Sequence, residues 1–194
     1  MRSTARLSLV TLCVSAALLL TTSLDAAPKA EKAATLSAEV KRGEYLVSFM
    51  GCNDCHTPFK MTEHGPEPDM TLFLSGHPQA IGAMKPAKLD SPWMWAGNAT
   101  NTAFSGPWGI SYASNLTPDK TGIGIWTEEM FIKTMRTGKR FGAGRPILPP
   151  MPWPAYRHAS DADLKAVFVY LKTIKPIANR VPEYIPPAPQ KAGK

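Results

Sequence analysis

Cysteine is scarce in this chain, with three residues among 194, at Cys13, Cys52 and Cys55. So small a supply excludes a disulfide-built scaffold. A second Cys or His pair to match the one at 52–55 is missing, which excludes a four-ligand structural zinc site. His56, His64, His77 and His158 are scattered. There is no basic helix and no interleaving of aromatic with basic residues, so nucleic acid is a poor partner. No repeat recurs, and low complexity is confined to the proline-rich end. After the N-terminal stretch no apolar run is long enough to span a bilayer, so no integral membrane segment is expected in the mature chain.

That N-terminal stretch reads as a signal peptide over residues 1–27. Arg2 and Arg6 give a basic start, "LSLVTLCVSAALLLTTSL" an uncharged apolar run, and "DAAPKA" small residues for cleavage near Ala26 or Ala27. A membrane anchor is the alternative, but the run is short for one and diluted by Ser and Thr. Export removes Cys13 and leaves only Cys52 and Cys55. A bridge between those two would close a tiny loop and gain little loop entropy. The net charge of +7 falls to near +6 when Arg2, Arg6 and Asp25 leave. A basic surface suits docking to an acidic-surfaced redox protein, and it also simply favours solubility. The sequence sets no oligomeric state.

Nineteen prolines and 14 glycines predict long irregular segments. Residues 28–36 read as a flexible lead-in. A first helix is expected from an N-cap at Ser37 to Gly51, with Val40, Gly43, Val47 and Met50 at helical spacing. A second is expected from Thr127 to Gly138, with Met130, Phe131, Thr134 and Met135 as its buried stripe. A third begins at Ser160, places Leu164, Val167, Phe168 and Leu171 on one face, and is closed by Pro176. Residues 177–194 form a proline-rich tail expected to run over the surface and fray. Between the first two helices, residues 57–126 hold eight glycines and eight prolines. Within this segment 70–76 and 109–116 read as short strands. Trp93, Trp95, Trp108 and Trp126 lie there too, with core packing as their default role. So long a loop needs a reason, and a large internal cofactor supplies one.

The stretch "GCNDCHTPFK" (51–60) points to that cofactor. Cys52-x-x-Cys55-His56 matches the attachment pattern of c-type haem. Two thiols at this spacing can form thioethers with the two vinyl groups of one haem. The next residue, His56, then supplies the proximal nitrogen to iron. A thioredoxin-like redox pair would instead follow a strand, whereas this pair follows a predicted helix. For the sixth iron ligand the candidate is Met151 in "ILPPMPWPAYR". A thioether favours reduced iron, and Pro149, Pro150, Pro152 and Pro154 stiffen its loop. His158, Met61, Met70, Met84 and Met94 remain rivals by position. Met130 and Met135 read as core, and His64 and His77 as solvent-facing turn residues.

A helix ending in the haem motif, a loop methionine and a C-terminal helix together resemble the class I c-type cytochromes. "RGEYLV" (42–47) against "DLKAVFVYLKTI" (163–174) resembles the crossing of that family's end helices, with Gly43 admitting the partner closely. "SNLTPDKTGIGIWTEEMF" (114–131) and "PPMPWPAY" (149–156) resemble the haem units of cytochrome c subunits of membrane-bound alcohol and sugar-acid dehydrogenases. The resemblance covers residues 37–176. It implies a mainly α, cytochrome c-like domain around one covalent haem c, with Cys52 and Cys55 as tethers and His56 and Met151 as axial ligands. Residues 115–124 would shape the pocket. Those subunits carry several haem motifs and this chain carries one. The expectation is therefore a bacterial periplasmic electron carrier, not itself an enzyme. It would pass single electrons from a dehydrogenase or quinol-linked donor to an oxidase or another cytochrome. A haem subunit of a dehydrogenase complex is the alternative, or an open-site, peroxidase-like haem protein.

Overall fold

The computed structural model describes residues 26–189. Cys13 and nearly all of the expected signal peptide lie outside the described residues. The chain divides into two units, Met1–Ala38 and Glu39–Lys194.

The first helix, α1 (Ala26–Phe49), starts well before Ser37. Residues 28–36, expected as a flexible lead-in, are helical. The stretch is rich in alanine and lysine, which favour helix, and its one proline sits in the first turn, where no intrahelical N–H is needed. Ser37 is therefore interior and caps nothing. In the larger unit, α1 ends through Gly51, which takes the left-handed conformation (φ 68°) and starts the one-turn helix α2 (Cys52–His56).

Two later helices follow the sequence pattern closely. The Thr127 hydroxyl accepts from the Met130 amide at 3.2 Å and opens α3 (Glu128–Thr137), which Gly138 closes at φ 65°. On α3, Phe131 and Thr134 are buried and Met135 packs against the core. Met130, expected in that stripe, is 38% exposed instead. After the short α4 (Trp153–Tyr156), Ser160 caps α5 (Asp161–Leu171) by accepting from the Asp163 amide at 3.1 Å. Helix α5 stops well before Pro176. Lys172 turns aside there, and its ammonium donates to the carbonyls of Gly124 and Ile123 at 2.8 and 3.3 Å.

Helices α1 and α5 meet at Gly43. A Cβ there would lie 2.0 Å from the Ala166 carbonyl oxygen and 2.6 Å from the Tyr170 Cβ, so only a residue without a side chain lets the backbones approach this closely. Leu46 and Val47 of α1, Phe131 of α3, and Leu164, Val167, Phe168 and Leu171 of α5 form the apolar core, joined by Leu74 and Ile123. Arg42–Asp163 (2.9 Å) and Lys165–Glu39 (3.1 Å) ion pairs flank the α1–α5 contact at the surface.

The intervening segment is more ordered than its composition suggests. Strands β1 (Phe59–Thr62) and β2 (Gly65–Pro68) form an antiparallel hairpin with Phe59 opposite Pro68. Strands β3 (Ala96–Gly97), β4 (Ala103–Gly106) and β5 (Gly109–Tyr112) form a second antiparallel sheet with β4 central. The strand expected at 109–116 is thus present over its first half. The one expected at 70–76 is not. Asp69 instead caps a 3-10 turn at Met70–Leu72, its carboxylate accepting from the Thr71 amide (3.1 Å) and hydroxyl (2.8 Å). Such local side-chain bonds compete with strand pairing.

The tail does not fray within the described residues. Ile185 pairs with Ile110 on the outer edge of β5 through two backbone bonds of 2.8 and 3.0 Å. Asn179 is buried, and its amide donates to the carbonyls of Ser75 (2.7 Å) and His77 (2.9 Å).

Candidate functional site

The turn that carries Cys52, Cys55 and His56 is pinned from three sides. The Gly76 amide donates to the His56 carbonyl at 2.7 Å. The Leu74 amide donates to the Thr57 hydroxyl at 2.9 Å, and the Asn101 amide group donates to the Asp54 carbonyl at 2.8 Å. The 57–126 segment therefore buttresses this turn. Its buried His77 explains part of the stiffness. His77 is 0% exposed, contrary to its expected place in a solvent-facing turn. One ring nitrogen, Nε2, donates to the Gly82 carbonyl at 3.0 Å, and the other accepts from the Thr102 hydroxyl at 2.9 Å. Burial lowers its pKa, so this neutral pairing is the favoured form.

His56 is buried, and its Nδ1 lies 2.7 Å from the Ser114 carbonyl oxygen. A carbonyl only accepts, so Nδ1 carries the proton and Nε2 keeps its lone pair. Burial lowers the His56 pKa, opposed by the Ser114 bond, and keeps the ring neutral. A neutral imidazole with its far nitrogen hydrogen-bonded to a carbonyl is the arrangement of an oriented metal ligand. Ser114 is itself held, because the adjacent Ala113 donates to the Thr102 carbonyl (2.8 Å) and accepts from the His77 amide (2.9 Å).

Cys52 and Cys55 are free thiols. Burial pushes Cys52 up to about 12 and also raises Cys55, with the Asp54 charge adding to both. Both remain protonated at neutral pH, which slows the thiolate chemistry that would join them to each other.

Cys52, Cys55, His56 and Met151 line one cavity of about 640 Å³. Met151 is half-buried on the segment between α3 and α4. The Ser111 hydroxyl donates to the Pro149 carbonyl at 2.6 Å and steadies that segment from β5. Tyr156 reaches across from α4 to donate to the Met50 carbonyl, tying the methionine segment to the end of α1. Of the rivals, Met61 (75% exposed), Met70 and Met94 point to solvent, and His64 and His158 are exposed. Met84 is half-buried but outside the cavity lining.

The walls fit a large flat macrocycle with a metal at its centre. They are mainly apolar, from Leu116, Ile123, Phe131, Leu164, Val167 and Leu171. Two thiols and one ring nitrogen stand on one turn, and thioethers stand on separate segments, Met151 before α4 and Met135 on α3. Residues 115–124, expected to shape such a pocket, contribute to the lining from Asn115 to Leu116 and from Lys120 to Ile123. The Asn115 side chain stiffens this loop. Its oxygen accepts from the Thr117 amide (2.9 Å) and hydroxyl (2.8 Å), and its nitrogen donates to the Ile177 carbonyl (2.8 Å).

Some residues escaped the sequence reading. The Ser114 carbonyl could not have been found, since any residue offers one. Tyr156 stood inside the quoted "PPMPWPAY" run, but its partner is 106 positions away. Of the tryptophans expected in the core, Trp126 packs against it, whereas Trp93 and Trp95 do not. Trp93 is 73% exposed and Trp95 is partly so, while Trp108 and Trp126 are half-buried. Trp95 and Trp126 both line the cavity.

Known proteins share sequence similarity with this chain. The chain is 31% identical over 152 residues, 77% of its length, to the fructose dehydrogenase cytochrome subunit of Gluconobacter japonicus. It is similar to cytochrome subunits of dehydrogenases. The cytochrome c subunit of the quinone-dependent alcohol dehydrogenase of Gluconobacter oxydans is 31% identical over 75% of the chain. The gluconate 2-dehydrogenase cytochrome c subunit of Pantoea cypripedii is 34% identical over 73% of it. The chain spans about a quarter of the length of these relatives (24%, 24% and 25%). No family model matches the chain. Among the described residues no helix is long and apolar enough to cross a membrane.

Proposed function

We propose that this chain is a c-type cytochrome with a cytochrome c-like fold, carrying single electrons between redox proteins in the periplasm. The observation that carries this reading is His56. It directly follows Cys52-x-x-Cys55, is fixed through Nδ1 to the Ser114 carbonyl, and shares a cavity with Met151. Haem, when bound, supplies an iron that changes charge by one electron. Cys52 and Cys55 would hold the haem through thioethers, each S–H adding across a vinyl group with no oxidant needed. His56 would offer Nε2 and Met151 its sulfur as ligands to the iron. The apolar walls exclude water and, with the thioether, favour the reduced state. Neither ligand would have to move for an electron to pass, so the arrangement suits a carrier.

A second reading has its own support in the similarity to subunits named for fructose, alcohol and gluconate dehydrogenases. In it the chain is the electron-accepting subunit of a dehydrogenase complex. The site residues are the same and the docking partner differs.

The test is expression with export in cells able to attach haem to such proteins. Added mass of one haem and colour that survives denaturation are expected, and both should vanish when Cys52 and Cys55 are replaced by Ala. A ferric near-infrared band from methionine ligation should be lost in Met151→Ala, and the reduced variant should then bind carbon monoxide. Colourless protein of bare-chain mass refutes the reading. A carrier purifies alone, and a subunit purifies with its dehydrogenase.

A further inference from the structure

The tail enters the cavity. Residues 180–184 all contribute to its lining, and they hang between two anchors. Asn179 holds one end through Ser75 and His77, and its own side-chain oxygen accepts from the Gln79 amide at 2.7 Å. Ile185 holds the other end through the paired backbone bonds to Ile110. The Arg180 amide adds a bond to the Gln79 side chain at 3.0 Å. Gly109 makes the second anchor possible, since a Cβ there would lie 2.0 Å from the Ile185 carbonyl oxygen. This is a strap fixed at both ends.

The charges on the lining are unbalanced. Lys120, Arg140, Arg145 and Arg180 face two acidic residues, Asp54 and Glu183, an excess of two positive charges. None of the four basic residues forms an ion pair among the described residues. Arg140 lies over the Phe141 ring at 5.1 Å, and Arg145 donates to the Pro146 carbonyl at 3.3 Å. Arg180 is the arginine of the set whose guanidinium has no such engagement and whose backbone is fixed. A haem brings two carboxylates, one on each propionate. A guanidinium pairs with a carboxylate through two parallel hydrogen bonds.

We propose that residues 179–185 are a cofactor strap, and that Arg180 on it binds one propionate carboxylate. The inference rests on the haem reading above. Arg180 then acts on the iron through the propionate and through its own charge. Both favour the ferrous state, because a nearby positive charge opposes removal of an electron.

The experiment uses haem-loaded full chain and reads the midpoint potential. Arg180→Gln should lower the ferrous-to-ferric ratio at a fixed electrode potential by about three- to tenfold, where tenfold is about 59 mV for one electron. Arg180→Lys should recover most of the loss. The shift should persist at ~1 M salt, where exposed charges are screened beyond about 3 Å. Lys88→Gln, outside the lining, should give a small shift that salt removes. Gly109→Ala should reproduce the Arg180→Gln shift with Arg180 still present, by displacing the strap. An unchanged potential in haem-loaded Arg180→Gln overturns the inference, as does a shift that salt removes. Wild-type protein without haem overturns the underlying reading instead, and the two failures are distinguishable by colour.

Discussion

The helical side and the looped side of the larger unit are held together by different means. Between α1, α3 and α5 the buried residues are apolar, led by Leu46, Val47, Phe131, Leu164, Val167, Phe168 and Leu171. On the looped side the buried set is mixed, with Thr57, Ser75, His77, Thr102, Asn115, Thr117 and Asn179 beside Leu74, Phe104, Ile110 and Ile123. Every buried side-chain polar atom among the described residues has a hydrogen-bond partner. The helical side can tolerate a change of shape at a cost that scales with lost volume. The looped side adds a second vulnerability to its apolar bulk, because an orphaned polar group there carries the full cost of desolvation. The cavity lies where the two meet, with thiols and imidazole steadied from the looped side and apolar walls supplied by both sides.

Four substitutions or conditions test this contrast. Phe168→Ala removes a buried ring that lies tilted against Phe131 with centroids 5.6 Å apart, and it should lower unfolding free energy by about 3–5 kcal/mol in denaturant titration. Gly43→Val should cost about 3 kcal/mol or more by forcing α1 away from Ala166 and Tyr170, with loss of near-ultraviolet dichroism from Tyr170 as the marker. Asn179→Ala should cost about 1–3 kcal/mol, because it orphans the Ser75 and His77 carbonyls. Its signature is local, with faster proteolysis of the tail and little change in helix content. An equal loss of helix would erase the distinction between the two sides.

The smallest effect is a pH dependence from the looped side. Burial depresses the folded pKa of His77. Below the unfolded value of about 6.5 the unfolded chain binds a proton that the folded chain refuses, so stability falls as pH drops from about 6.5 toward the folded pKa. In haem-loaded protein, the denaturant midpoint should be lower at pH 5 than at pH 7.5, and His77→Gln should narrow that gap. A gap of undiminished size would assign the effect to other groups.

The contrast also explains which parts of the molecule could be read in advance. Apolar residues three and four apart mark a helix wherever it packs, so α3, α5 and the second half of α1 were legible, with caps at Thr127 and Ser160. The Cys52-x-x-Cys55-His56 spacing is local chemistry and needed no tertiary information. Loops held by polar side chains leave no such periodic trace. His77 in "SGHPQA" looked like a turn residue because nothing near it in the chain reveals Thr102 or Gly82 as partners. Asn179 in a proline-rich tail looked free for the same reason.

The sequence by itself determined the two thiols, the adjoining imidazole, the stiff methionine segment and the amphipathic helices, because each is written within a few residues. The tertiary structure decided that these groups share one cavity, that the Ser114 carbonyl selects the ring nitrogen left free on His56, and that the tail brings Arg180 to the cavity lining. Those outcomes depend on contacts between residues 58 to 106 positions apart. Only the folded chain brings such partners within hydrogen-bonding distance.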